Sequence, residues 1–162
     1  MFGNFGFSYI GLIYLLMLWI PNSFWARRKP EGYDPSGESK FLLITERSGQ
    51  VLCTASILLF TDYNPTSVNL WIIWFFMSAA LMLLYGLNWI RYFRSRQTVG
   101  DFYRSILGIP APGATLPVIA FLLLGIYGRV IWLIVSSVIL GVGHIGIHLQ
   151  HIKDLSKKEE IE

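Results

Sequence analysis

Long apolar runs alternate with short polar breaks along this chain, and the run lengths predict helices that cross a membrane. Apolar residues dominate positions 7–25, 41–61, 67–92 and, with Arg129 as the only Lys, Arg, Asp or Glu, 114–151. A helix rises about 1.5 Å per residue and needs roughly 20 apolar residues to cross the hydrocarbon. The last run is too long for one crossing and suits two, with Tyr127-Gly128-Arg129 as the turn. The expected fold is therefore an all-α integral membrane protein, one membrane domain over 1–162. Its five transmembrane helices are placed near 7–25, 41–61, 67–92, 113–127 and 129–151.

Details within the runs refine this picture. Pro21 and Asn22, toward the inner end of the first crossing, predict either a kink with a freed carbonyl or a helix end at the interface. In the second, Phe41-Leu42-Leu43-Ile44 leads into Glu46-Arg47-Ser48-Gly49-Gln50. A helix starting near Lys40 puts Glu46 about 9 Å along it, with Gln50 and Cys53 or Thr54 on the same face. The alternative leaves 41–47 on the membrane surface and inserts only 48–61. In the third, Ser78-Ala79-Ala80 is a small-residue patch that lets another helix approach, and Tyr85, Asn88 and Tyr92 share a face. Thr98 and Asp101 have capping-box spacing, and Phe102, Tyr103, Ile106 and Leu107 recur at helical spacing. These predict a short interfacial helix over 98–108, ended by Pro110-Ala111-Pro112-Gly113. Pro117 is expected in the first turn of the fourth crossing. Residues 152–162 read as a polar, flexible tail.

Composition agrees with membrane insertion: 54% of residues are hydrophobic and 15% aromatic, with a mean hydropathy of +0.52. No separate soluble domain fits. The net charge of +3 does not imply nucleic acid, because the basic residues lie beside apolar segments, where they determine topology. Five crossings put twelve of the thirteen Lys and Arg residues on one side, leaving only Arg129 on the other. Four crossings would move the three tail lysines across. The positive-inside rule therefore predicts an external N-terminus, a cytoplasmic C-terminus and a multi-pass location in the plasma membrane. No positive charge precedes the first run and Arg27-Arg28-Lys29 follow it, so an uncleaved helix is expected rather than a signal peptide. The lone Cys53 excludes an intrachain disulfide or a Cys-x-x-Cys pair and is expected to serve packing.

The candidate chemistry lies in the last crossing. Ser137, Gly141, His144, His148 and His151 are spaced four, three, four and three, so all three histidines of the protein share one helical stripe. Facing lipid would leave the stripe unsatisfied, so it should face other helices or a polar cavity. The expected topology places Glu46, Gln50, Asn88, Tyr92 and Asn22 in the same cytoplasmic half, and together they predict an inward-opening pocket. The candidate ligand-binding residues are His144, His148, Glu46, Gln50, Asn88, Tyr92 and Asn22. Three functions follow as alternatives. A small solute, an ion or a lipid headgroup is bound or transported there. Alternatively, His144, His148 and His151 hold a divalent metal for an enzyme acting on a lipid-soluble substrate, although no His-Glu-x-x-His signature and no second histidine-bearing helix occur. In the third reading the stripe is interhelical glue in an accessory subunit, with Ser137-x-x-x-Gly141 as the small-residue contact. Expected partners are the lipid bilayer and a second copy or another membrane protein.

Overall fold

The computed structural model describes residues 2–66 and 69–159. It is helical, and among the described residues the only β-type contacts are two isolated bridges. Helix α1 covers Tyr9–Arg27, α2 Lys40–Leu58, α3 Ile73–Phe93, α4 Val99–Tyr103, α5 Pro112–Gly128 and α6 Ile131–Glu159. The segments Tyr9–Arg27, Leu70–Phe93 and Ile131–Lys157 are long and apolar enough to cross a membrane. Large apolar side chains such as Phe24, Phe41, Ile44, Val51 and Leu83 are mostly exposed around the bundle, as suits a protein surrounded by lipid.

The long helices run alternately up and down. Helices α2 and α6 are antiparallel: Ser39 N–H donates to Gln150, Glu46 meets His144, and Cys53 lies 4.0 Å from the Ser137 hydroxyl. Their backbones nearly touch. A Cβ on Gly143 would fall on the Glu46 backbone, and one on Gly49 would lie 2.5 Å from Leu140 Cα, so only glycine permits this approach. Gly141 instead faces Val118 of α5. The tightest small-residue contact of α6 is thus at Gly143, two residues beyond the expected Ser137/Gly141 pair and on a different face of the helix.

Ser78 joins three helices. Its hydroxyl donates to the Ala120 carbonyl of α5 at 2.7 Å and lies 3.1 Å from the Tyr14 hydroxyl of α1. The N-terminal segment runs extended beside the end of α2, with Gly6 and Ser8 N–H groups donating to Leu59 and Leu58. Ser8 and the distant Asn64 then accept the first free N–H groups of α1, from Gly11 and from Tyr9 and Ile10.

Several expectations change in detail. Helix α1 continues through Pro21 to Arg27, so Pro21 is not a helix end. Helix α2 is unbroken from Lys40, so 41–47 is not a separate surface segment. The third crossing was expected to begin at Ser67, which with Val68 lies outside the described residues. A 3-10 turn, Leu70–Ile72, leads into α3. The Thr98–Asp101 capping box forms, but α4 ends at Tyr103, short of 108. It ends where Arg104 turns to an extended backbone (φ −58°, ψ 125°), and left-handed residues follow at Leu107, Gly108 and Ala111. Pro117 lies more than one turn inside α5, so it has no N–H to give the Gly113 carbonyl. Helix α6 carries on through the expected tail to Glu159; residues 160–162 lie outside the described residues.

Candidate functional site

The close α2–α6 contact builds the centre of the site. With the two backbones held together at Gly143, the neighbouring His144 reaches Glu46, Nδ1 to Oε1 at 2.6 Å. Glu46 lies about 9 Å into α2, where a carboxylate needs a partner. Gln50, one turn further on, donates its amide to the same Glu46 oxygen at 3.3 Å. With Nδ1–H donated to the carboxylate, Nε2 of His144 is left facing away from Glu46, an acceptor in the neutral ring and a donor in the charged one.

His144 and Gln50 line a cavity of about 780 Å³ bounded by α1, α2, α5 and α6, with Tyr85 of α3. Its wall is mainly Leu, Val, Phe and Trp, and its volume falls within the usual range for small-molecule sites. Asn22 enters it from α1, held by donating its amide to the Leu18 carbonyl and the Tyr85 hydroxyl, both at 2.8 Å. Asn22 and Gln50 are exposed residues on otherwise apolar surfaces. Among the described residues neither side-chain carbonyl, Asn22 Oδ1 nor Gln50 Oε1, receives a hydrogen bond.

The other candidates lie elsewhere. Asn88 is buried and accepts from Arg91 Nη2 at 2.9 Å, within its own helix. Arg91 in turn ties down the Arg104 and Ser105 carbonyls, so Asn88 orients a loop-holding arginine. Tyr92 is buried beside Trp89 and Phe102. His148 packs against Phe102 and Tyr103, and its ring centroid is 4.7 Å from that of His144. His151 pairs with Glu38 through Nε2 at 2.9 Å, while Gln150 donates to the Gly37 carbonyl. Together these bonds fasten the 33–39 loop onto α6. Beside this clasp a smaller hollow of about 360 Å³ is lined by Tyr33, Tyr103 and Asp154. Burial, reinforced by the Glu38 and Glu46 carboxylates, pushes the Tyr33 phenol up to about 12.

The histidine stripe therefore divides: one histidine lines the cavity, one packs on aromatic rings and one clasps a loop. Among the described residues no group of three or more His, Cys, Asp or Glu side chains is placed to hold a metal ion. Residue spacing gave no sign that Tyr85, Gly113 and Pro117 would line the cavity, because they come from two further helices. The opposite end of the bundle also holds a hollow of about 650 Å³, lined by Asp62, Asn64 and Arg129 among others. Arg129 sits there over the Trp71 ring, 4.7 Å from its centroid.

Fold and site together describe a helical bundle with three candidate membrane-spanning helices and a polar-centred cavity in an apolar wall. No protein-family model, curated protein or solved structure matches the chain.

Proposed function

We propose that the chain is a five-span protein of the plasma membrane, N-terminus outside and C-terminus in the cytoplasm. Its central cavity binds, or carries, a small polar solute, an ion or a lipid headgroup. The observation that carries this reading is the pair of exposed amides, Asn22 and Gln50, whose carbonyls line the same apolar-walled cavity as His144. Polar groups at such depth cost free energy unless something satisfies them, and a ligand does so.

Two facts support the five-span part. The outward face of α2 carries exposed Phe41, Ile44, Val51 and Leu52, so this helix suits lipid although its inner end is charged. Helix α5 is short, about 26 Å, but strongly apolar and mostly buried among its neighbours. A metal-dependent enzyme is less well supported, since the three histidines take different partners. The glue reading accounts for His148 and His151 and leaves the two amides unexplained.

Thermal-shift screening of the purified protein against a lipid extract and a panel of polar solutes tests the reading. A ligand that stabilises the wild type should lose its effect in Gln50→Leu and keep it in His151→Gln, which lies outside the cavity. Equal shifts in all three proteins, or none in the wild type, would contradict it.

A further inference from the structure

The cavity opens on the flank of the bundle. Helix α1 is tied to α2 only at its outer end, where Gly11 lies against the Ile57 carbonyl and the 6–8 segment bonds to Leu58 and Leu59. Further along, α1 leans instead on α3, through Tyr14 to Ser78 and Asn22 to Tyr85. The two helices therefore leave a gap between them. Cavity-lining Trp19, Val51 and Leu59 are 51%, 70% and 51% exposed, which places the mouth on the outer flank of α1 and α2. Gln50 stands about 15 Å along α2, so in a membrane this mouth faces hydrocarbon rather than water.

The cavity wall mixes acceptors and donors without a Lys or Arg: Asn22 Oδ1 and Gln50 Oε1 accept, and the Thr54 and Tyr85 hydroxyls can also donate. The one nearby formal charge, Glu46, is negative and already bonded to His144 and Gln50. A phosphate headgroup would bring negative charge to a wall with no Lys or Arg to meet it, close to the Glu46 carboxylate. Hydroxyl groups fit: they both donate and accept and add no charge.

We propose, building on the cavity-binding reading above, that the ligand is a membrane lipid alcohol. It is an uncharged glycerolipid with free hydroxyls that enters sideways between α1 and α2. Its chain lies against Trp19, Val51, Leu58 and Phe121, exchanging neighbouring lipid tails for apolar side chains. Its hydroxyls donate to the Asn22 and Gln50 side-chain carbonyls and accept from the Tyr85 or Thr54 hydroxyl.

The test uses the full-length protein in phosphatidylcholine nanodiscs and a monoacylglycerol carrying a photoreactive diazirine in its chain. Crosslinks are expected on the peptides that contain Trp19 and Val51, and unlabelled monoacylglycerol should suppress them. A lysophosphatidate or a long-chain amine with the same chain should compete at least about tenfold less well, the factor associated with one badly paired polar contact. Ala55→Trp, at the exposed rim, should abolish the crosslinks. Gln50→Leu should weaken labelling about fivefold to tenfold, and this arm stands even if the tryptophan variant fails to fold. Equal competition by lysophosphatidate or by the amine overturns the headgroup assignment while leaving a lipid-binding cavity. Competition by free glycerol at the same concentration as the monoacylglycerol overturns lateral entry and favours a soluble ligand. Labelling unchanged in folded Ala55→Trp and in Gln50→Leu overturns the cavity as the binding site, and the proposed function with it.

Discussion

Gly143 decides how closely α2 and α6 can pack, and that packing sets the position of His144. A methyl group added there meets the Glu46 backbone, which cannot move without shifting the helix. Gly143→Ala is therefore expected to destabilise the fold by about 1–3 kcal/mol, the usual cost of overpacking. Gly86→Ala, where nothing lies within 4 Å, should be neutral or stabilising by up to about 1 kcal/mol, as for a helical glycine with room. Unfolding of both variants in the same detergent gives the comparison. The Glu46–His144 pair makes a second prediction. His144→Ala strands a carboxylate that is only 13% exposed, a loss of about 1–3 kcal/mol, and the double variant Glu46→Ala/His144→Ala should recover part of it. A double variant no more stable than His144→Ala alone would show that the carboxylate does not depend on the histidine. Both partners were visible in the sequence as polar residues on apolar faces. Their place in the same half of the bundle followed from helical spacing and topology, whereas their direct pairing and the separate roles of His148 and His151 did not. Those roles depend on Phe102, Tyr103 and Glu38, which come from segments with no fixed register to α6 in the sequence.

At the scale of elements, the loop over 33–39 is a docked segment held by Glu38 to His151 and by Gly37 to Gln150. Tyr33 packs against the rings of Trp25 and His151 under this loop. Its phenol is raised from 10.0 to about 12, so the folded state favours the neutral form. The stabilisation is full below the ordinary value near 10 and is lost as pH rises from there through about 12. Protease cleavage of the loop should accelerate across that window in the wild type, and Tyr33→Phe should lack this component. An identical alkaline profile in the variant would count against it. The helix positions were legible because apolar period and run length carry over directly from sequence to bundle. Proline effects were harder to read. Pro21 and Pro117 were both expected near helix ends, yet α1 extends six residues past the first, and α5 starts five residues before the second. In each case packing against neighbouring helices outweighs the loss of one backbone hydrogen bond. The short run of α4 illustrates the opposite limit: its capping box was readable at Thr98 and Asp101, but its end lies at the extended backbone of Arg104, which no periodicity marks.

For the whole molecule, the distribution of basic residues makes a topology prediction that cysteine labelling can check. In a Cys53→Ala background, Thr66→Cys should react with a membrane-impermeant maleimide in intact cells, and Ser36→Cys only after permeabilisation. The reverse pattern would invert the orientation, and labelling of both in intact cells would remove one crossing between them. The cavity was less legible than the helix positions. Its polar residues suggested an opening at the cytoplasmic end, whereas the exposed lining residues Trp19, Val51 and Leu59 lie along α1 and α2, where α1 tilts to lean on α3. That tilt is set by Ser78, Tyr14, Tyr85 and Asn22, a contact among three helices that no single run of sequence displays. The central claim is that this cavity holds a ligand, and native mass spectrometry of the protein released from nanodiscs tests it most directly. The account predicts a bound small molecule on the wild type that is retained by His151→Gln and lost from Gln50→Leu. A wild type that carries nothing, or a Gln50→Leu protein that carries the same molecule at the same occupancy, would contradict it.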